Sequence, residues 1–471
     1  MVGMCCILTA SAALGSLKKG VELYKQGKID EAIVEVRQAV EDKPDDATNR
    51  RWLGFLLLKK WEYAEALEHL QKARELKADG PELRNNLGMA YLGTKQYEKA
   101  VIELEEAVRL KKDYPEALYN LGNAYLKLAQ YDKAIEAYDR AVKLSPKDAS
   151  IHNNYGLALQ EKGRIDDAAT QFREASDLEP TNAEYAQNLG VSLKKKNDRA
   201  GAETAFRRAL NSDPTSYEAR AALAELLAIS GREDEALAQY EAAAKLRPDE
   251  FFPRYNTGVL YSKKTQFGKA VPAFQAALKA RPDDAETLTY LGWARFKSGD
   301  TAEGIKNLRL AVEKNPNLLA GWLNLATIYT VEQDTPAAID AWTAAVALDP
   351  KNVAALVNLG NLYLTTGEYD KAIERYDAAL KADANSAPAH FGLGTAYSGL
   401  GQTDKSIASY ESAIKANPKM ASAYNNLGVE LEKKGRIEDA KKQYRKALEV
   451  EAGNENARTN LERFGEQPGL E

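Results

Sequence analysis

Residues 115–148 read PEALYNLGNAYLKLAQYDKAIEAYDRAVKLSPKD, and they decide the fold because the chain repeats their pattern every 34 residues. Gly122 belongs to a series that runs Gly20, Gly54, Gly88, Gly122, Gly156 and Gly190, then resumes at Gly258, Gly292, Gly360, Gly394 and Gly428, with Ala224 and Ala326 in the two gaps. Twelve residues beyond each member stands a second small residue, Ala134 in this stretch, with Gly304 and Ser406 the only departures from Ala. Seven further on, Ala occurs in every unit, from Ala39 through Ala141 to Ala447. Proline follows five residues later in nine units, among them Pro44, Pro146, Pro316 and Pro418. Thirteen such units fill residues 13–454 without an insertion.

The residue types explain the period. Small side chains at positions 8 and 20 of the unit let two helices, A and B, approach closely, and large residues at positions 7, 11 and 24 (Leu121, Tyr125 and Tyr138) fill the space around them. The break between A and B falls near position 15, where Gly27, Gly163, Gly231, Gly299, Gly367, Gly401 and Gly435 can take a left-handed conformation. Helix B stops at the proline of position 32, and Asp148, Asn182, Asp284 or Asn352 offers an N-cap to the next helix A. One hairpin cannot bury its apolar face alone, so stability comes from stacking unit on unit. Residues 455–464 begin a further helix A with Leu461 at position 7 and no following helix B, which predicts a solvating cap, with 465–471 as a flexible tail.

This pattern resembles the tetratricopeptide repeat (TPR) family over nearly the whole chain, with Leu121, Gly122, Tyr125, Ala134, Tyr138, Ala141 and Pro146 matching its positions. The family's Trp at position 4 is here a mixture: Leu118, His152, Trp322. The resemblance implies an all-α fold, a right-handed α-solenoid whose concave groove holds peptides or partner segments. The repeats are similar to the superhelical region of O-linked N-acetylglucosamine transferase, without room for its catalytic domain.

At about 100° per residue, positions 4, 7, 8 and 11 of helix A share the packed side, so positions 2, 5, 6, 9, 12 and 13 are expected on the free face. Position 6 is Asn in eight units: Asn86, Asn120, Asn154, Asn188, Asn256, Asn324, Asn358 and Asn426. Asn is a weaker helix former than Ala by up to about 0.7 kcal/mol, so local propensity does not ask for it there. An amide row can pair with the backbone of an extended peptide whatever its sequence, and it resembles the asparagine ladder of the transferase superhelix. Inheritance through duplication of the unit is the alternative. Position 13 is Lys in seven units, including Lys59, Lys127, Lys297 and Lys433, which suits acidic segments or simply offsets the helix dipole. Aromatic residues interrupt the polar row twice: Leu17, Tyr24, Trp52, Phe55 and Leu58 near the start, and Phe252, Tyr255, Tyr290, Trp293 and Phe296 in mid-array. The first group reads as terminal packing. Of the second, Tyr255, Tyr290, Trp293 and Phe296 are the candidate anchors for an apolar ligand side chain.

The 471 residues are 44% hydrophobic and 28% charged with net charge −5, so neither disorder nor a bulk pull toward nucleic acid or anionic membrane follows. Cys5 and Cys6 are adjacent and the three histidines are scattered, which excludes a disulfide framework and a thiolate zinc site. No phosphate loop, zinc-protease motif or nucleophile elbow occurs, so neither catalysis nor a cofactor is expected. The lysine constellation by which chaperone-binding members of the family clamp a carboxylate is also missing. Residues 1–12 are apolar and end near an Ala10-Ser11-Ala12 cleavage pattern, but carry no basic start and offer only a short apolar stretch. The reading is therefore a non-catalytic scaffold for protein or peptide partners, without a membrane span and cytoplasmic. An exported envelope assembly factor and a helical-repeat RNA binder are the alternatives.

Overall fold

A computed structural model describes residues 15–465. The apolar segment of residues 1–12, with its cleavage reading, and the tail beyond residue 465 lie outside the described residues. Among the described residues every regular element is a helix, and the chain is an all-α solenoid of helical hairpins. In the fourth unit, helix A spans Pro115–Lys127 and helix B Tyr131–Leu144, and the same spacing gives Ala149–Glu161 with Ile165–Leu178 and Val353–Thr365 with Tyr369–Ala382. No helix is long and apolar enough to cross a membrane among the described residues.

Local chemistry sets the helix ends. The Asp148 carboxylate accepts from the backbone amides of Ser150 and Ile151, Asn182 from Glu184, Asp284 from Thr287 and Asn352 from Ala355. Each such cap contributes about 1 kcal/mol. The turn from A to B requires the left-handed region at position 15 whatever residue stands there. Gly163 (φ 80°) and Gly367 (φ 75°) meet it freely, whereas Trp61 (φ 64°), Lys95 (φ 61°) and Ala129 (φ 55°) are forced into it. For a residue with a Cβ this conformation costs roughly 1–2 kcal/mol.

Inside a hairpin the glycine of position 8 faces the ring of position 24. A Cβ on Gly122 would lie 2.6 Å from Tyr138, and one on Gly360 would lie 2.7 Å from Tyr376. Both rings are fully buried, and burying an apolar group of that size contributes roughly 1.5–3 kcal/mol. The alanines of position 27, such as Ala141 and Ala379, are buried completely and leave no room for a larger side chain.

Each helix A packs most extensively on its own helix B and next on the helix B before it. Positions 3 and 10 serve the joint between units: the Asn49 side chain donates to the Ala39 carbonyl at 2.8 Å, and the Ser192 hydroxyl donates to the Ile165 carbonyl at 3.3 Å. The chain forms two compact units, one reaching Leu246 and one beginning at Arg247. At the C-terminal end the helix Glu455–Glu462 buries Ala457 and Leu461, and Arg463 pairs with Glu432 at 2.9 Å.

Candidate functional site

Position 5 of one helix A and position 6 of the next meet where adjacent helices A run side by side. This corrects the expectation that both lie on the free face. A helical wheel says which residues share one side of a single helix; it does not include the neighbouring helix A that covers part of that side. Asn85, Asn153, Thr289, Val357 and Asn425, all at position 5, are buried, and Asn86 and Asn120 at position 6 are at most 9% exposed.

In the first compact unit the asparagine row is tied up. The Asn120 side-chain amide donates to Asn85 Oδ1 at 2.9 Å and the Asn188 amide to Asn153 Oδ1 at 2.8 Å. The Asn154 amide donates to the Tyr119 hydroxyl at 3.0 Å and to Asn123 Oδ1 at 2.8 Å. Asn123 Oδ1 also accepts from the Tyr138 hydroxyl at 2.6 Å, and burial holds that phenol well above its ordinary pKa, so it stays a neutral donor. Asn460 repeats the arrangement on Asn425 at 2.9 Å. These partners share one rule: a position-6 Asn is bonded 35 residues back whenever an Asn or Tyr occupies position 5 there. Asn86, whose preceding position 5 is Arg51, makes no such bond among the described residues.

In the second compact unit the row is open at Asn324 and Asn358. Asn324 and Asn358 follow Thr289 and Leu323 at position 5; both are half-buried, and neither side chain makes a hydrogen bond among the described residues. Asn256 is half-buried too. Asn426 donates weakly, at 3.4 Å, to the Tyr410 hydroxyl.

The aromatic candidates divide in the same way. Tyr255 stacks on Phe251 with centroids 5.3 Å apart, and its hydroxyl donates to Glu286 at 3.0 Å. Burial and the Glu286 carboxylate both push its pKa upward. Tyr290 stacks on the buried Phe274 at 5.6 Å, and the residue as a whole stays 36% exposed. Tyr255 therefore serves local packing, while Tyr290 packs by one face and stays exposed on the other. Trp293 and Phe296 are half-buried against the apolar cluster around Leu308 and Leu325, with the Lys297 ammonium 4.9 Å from the indole centroid. In the early group Tyr24, Trp52 and Phe55 form a three-ring cluster with centroids 5.2–6.1 Å apart. Beside it a recess of about 420 Å³ opens between Phe55, Met89 and Tyr119. A second recess of about 600 Å³ extends from Met89 to Leu157.

Two features escaped the sequence reading. The position-5 partners were legible in the period, as a pairing of residues 35 apart. Trp61 was not, because position 15 had been read only through its glycines. No group of three or more His, Cys, Asp or Glu side chains that could hold a metal occurs among the described residues.

Stacked helix pairs with a residue row along helix A define a helical-repeat protein. Family models for the tetratricopeptide repeat match residues 17–81, 188–251, 255–318, 323–387 and 391–457, with further TPR matches at 94–129, 122–163 and 149–182. The chain belongs to the tetratricopeptide repeat family. No curated protein sequence matches it. Among solved structures it is similar to YrrB, described as a TPR protein with an unusual peptide-binding site, at 26% identity over 39% of this chain and 95% of that one (TM-score 0.36). It is also similar to MamA, at 29% identity over 36% of this chain and 92% of that one (TM-score 0.33). The C-terminal part of a TPR repeat-containing protein from Cytophaga hutchinsonii aligns at 19% identity over 51% of this chain and 99% of that one (TM-score 0.45).

Proposed function

We propose that the protein is a non-catalytic scaffold that holds extended segments of other proteins along the exposed face of its helices A. The observation that carries this reading is the pair of half-buried amides, Asn324 and Asn358, which have no hydrogen-bond partner among the described residues. An Asn in mid-helix costs helix propensity, and here the cost is not recovered by bonding within the chain. Each amide offers one acceptor and two donors, the complement of a peptide backbone. Trp293 and Phe296 lie on the same helix-A row one unit earlier and offer an apolar surface for a side chain of the bound segment.

A photo-crosslinking residue placed at Thr327, and in a control at the exposed Asp340 of helix B, tests this. Crosslinks from position 327 should map by mass spectrometry to one contiguous segment of a partner, and that segment as a synthetic peptide should compete for them. The double substitution Asn324→Ala and Asn358→Ala should weaken the peptide's binding without loss of helicity. Equal crosslinking from positions 327 and 340, or unchanged affinity of the double variant, would sink the reading.

A further inference from the structure

Trp61 is 76% exposed, more than any other large apolar side chain among the described residues, and it sits in the left-handed region at a position where seven units carry glycine. Its packing does not explain it: the indole meets Tyr63 edge-on, with centroids 6.2 Å apart, and otherwise faces solvent. The next unit repeats the oddity with Lys95 (φ 61°) at the same turn. Both side chains line the recess of about 600 Å³ in the first compact unit.

The walls of that recess are of two kinds. Trp61, Tyr63, Met89 and Leu157 supply apolar surface, and Asn123 and Asn154 supply amides. Among the described residues Asn123 uses only its carbonyl oxygen, so its NH2 remains for a carbonyl brought from outside. Gly93 stands where the units on either side carry Lys59 and Lys127, and the Tyr63 ring fills the space a side chain there would take. The only charged residues in the lining are Lys95 and Lys127, and neither makes an ion pair among the described residues. On the Trp61 side, Glu62 and Glu65 both lie within ion-pair distance of Arg37.

We infer that this recess is a docking subsite for an acidic, extended peptide segment that inserts one large apolar side chain beneath Trp61. Charge complementarity selects the occupant, since two unpaired ammonium groups in a lining without a carboxylate favour carboxylates flanking the inserted side chain. The indole supplies a rigid apolar anchor with few rotors to immobilise. The subsite rests on the scaffold reading but belongs to a different compact unit from Asn324 and Asn358, so the two can fail separately.

The backbone makes the test clean, because Trp61→Gly and Lys95→Gly each relieve a strained turn while removing the recognition group. Binding to the full-length chain is measured by fluorescence anisotropy with a labelled peptide of aspartates and glutamates around one central leucine. Two control peptides carry Ala for the leucine or Lys for every acid. The expected result is at least tenfold weaker binding to Trp61→Gly at an unchanged or raised melting temperature, and a shallower salt dependence with Lys95→Gly. Both control peptides should bind weakly. Equal affinity for Trp61→Gly, tight binding of the lysine peptide, preference for a single-stranded oligouridine, or no binding of the acidic peptide to the wild type would each overturn the proposal. Crosslinking from position 327 in Trp61→Gly then reports whether the scaffold reading survives on its own.

Discussion

Two equivalent corners of the solenoid begin with the same pair of residues and end differently. In the fourth unit the Tyr138 hydroxyl donates to Asn123, which in turn accepts from Asn154 of the fifth, so a polar chain crosses from one repeat to the next. In the eleventh unit the Tyr376 hydroxyl donates to Asn361 at 2.6 Å in the same way, but the chain stops there because Gly392 stands where Asn154 does. The Tyr376 ring fills the place of a side chain at residue 392. One template thus yields amides that join repeats, at Asn120, Asn154 and Asn188 and again at Asn460, and amides without an internal partner among the described residues, at Asn324 and Asn358.

The largest test asks whether the two regions share the hairpin they are compared on. Gly122→Val and Gly360→Val each drive a side chain into a buried ring, and each should destabilise its compact unit by roughly 3 kcal/mol, the upper range for overpacking. Denaturant unfolding followed by hydrogen exchange measures both; a large loss at one site only would break the equivalence.

Removing the amide should then have opposite effects in the two regions. Asn154→Ala leaves the Tyr119 and Asn123 oxygens short of a donor and should cost about 1–2 kcal/mol. Asn358→Ala removes no internal bond and should gain a few tenths of a kcal/mol from helix propensity. The same sign for both changes in chemical denaturation would refute the distinction between a joined and an open row.

A smaller effect sharpens the pairing rule. Leu323→Asn installs at position 5 the partner that Asn358 lacks, and the new bond should contribute about 0.5–1 kcal/mol, offset in part by lost apolar burial. Its clearer readout is binding, since an Asn358 amide engaged 35 residues back should hold a peptide less well.

The smallest concerns acid. Burial, and after it the Arg50 guanidinium 3.0 Å from its ring, lower the pKa of His69 below the ordinary 6.5. The unfolded chain therefore binds the proton more readily, and the stability associated with a neutral His69 is present above pH 6.5 and lost as pH falls toward the depressed folded value. Hydrogen exchange should show the second repeat losing protection between pH 7 and 5 before the eleventh does. Equal loss in both repeats would remove His69 as the cause.

The period, the helix ends and the glycine-to-ring contacts were all legible beforehand, because each follows from chemistry within one hairpin. Gly122 and Tyr138 are sixteen residues apart and must meet if helices A and B pack at all. The candidate site was legible only in part. Asn324 and Asn358 were singled out together with Asn120, Asn154 and Asn188, although the latter three are bonded within the chain. Tyr255 was singled out although its ring stacks on Phe251, and Tyr290 although one face of its ring stacks on Phe274. For the amides and for Tyr290 the deciding neighbour comes from another helix, which a one-helix reading does not contain, whereas Tyr255 stacks on Phe251 one turn back on its own helix.

The sequence by itself determined that this chain is a stack of helical hairpins, since small residues at positions 8, 20 and 27 and turn glycines at position 15 admit no other packing of a 34-residue unit. It also determined that Asn would recur along helix A. Only the tertiary structure decided which of those amides remain available, because availability depends on the residue one unit earlier and on how closely helices A run together. Only the tertiary structure placed Trp61 in a left-handed turn beside an open recess, because the fold imposes that turn on whatever residue occupies it.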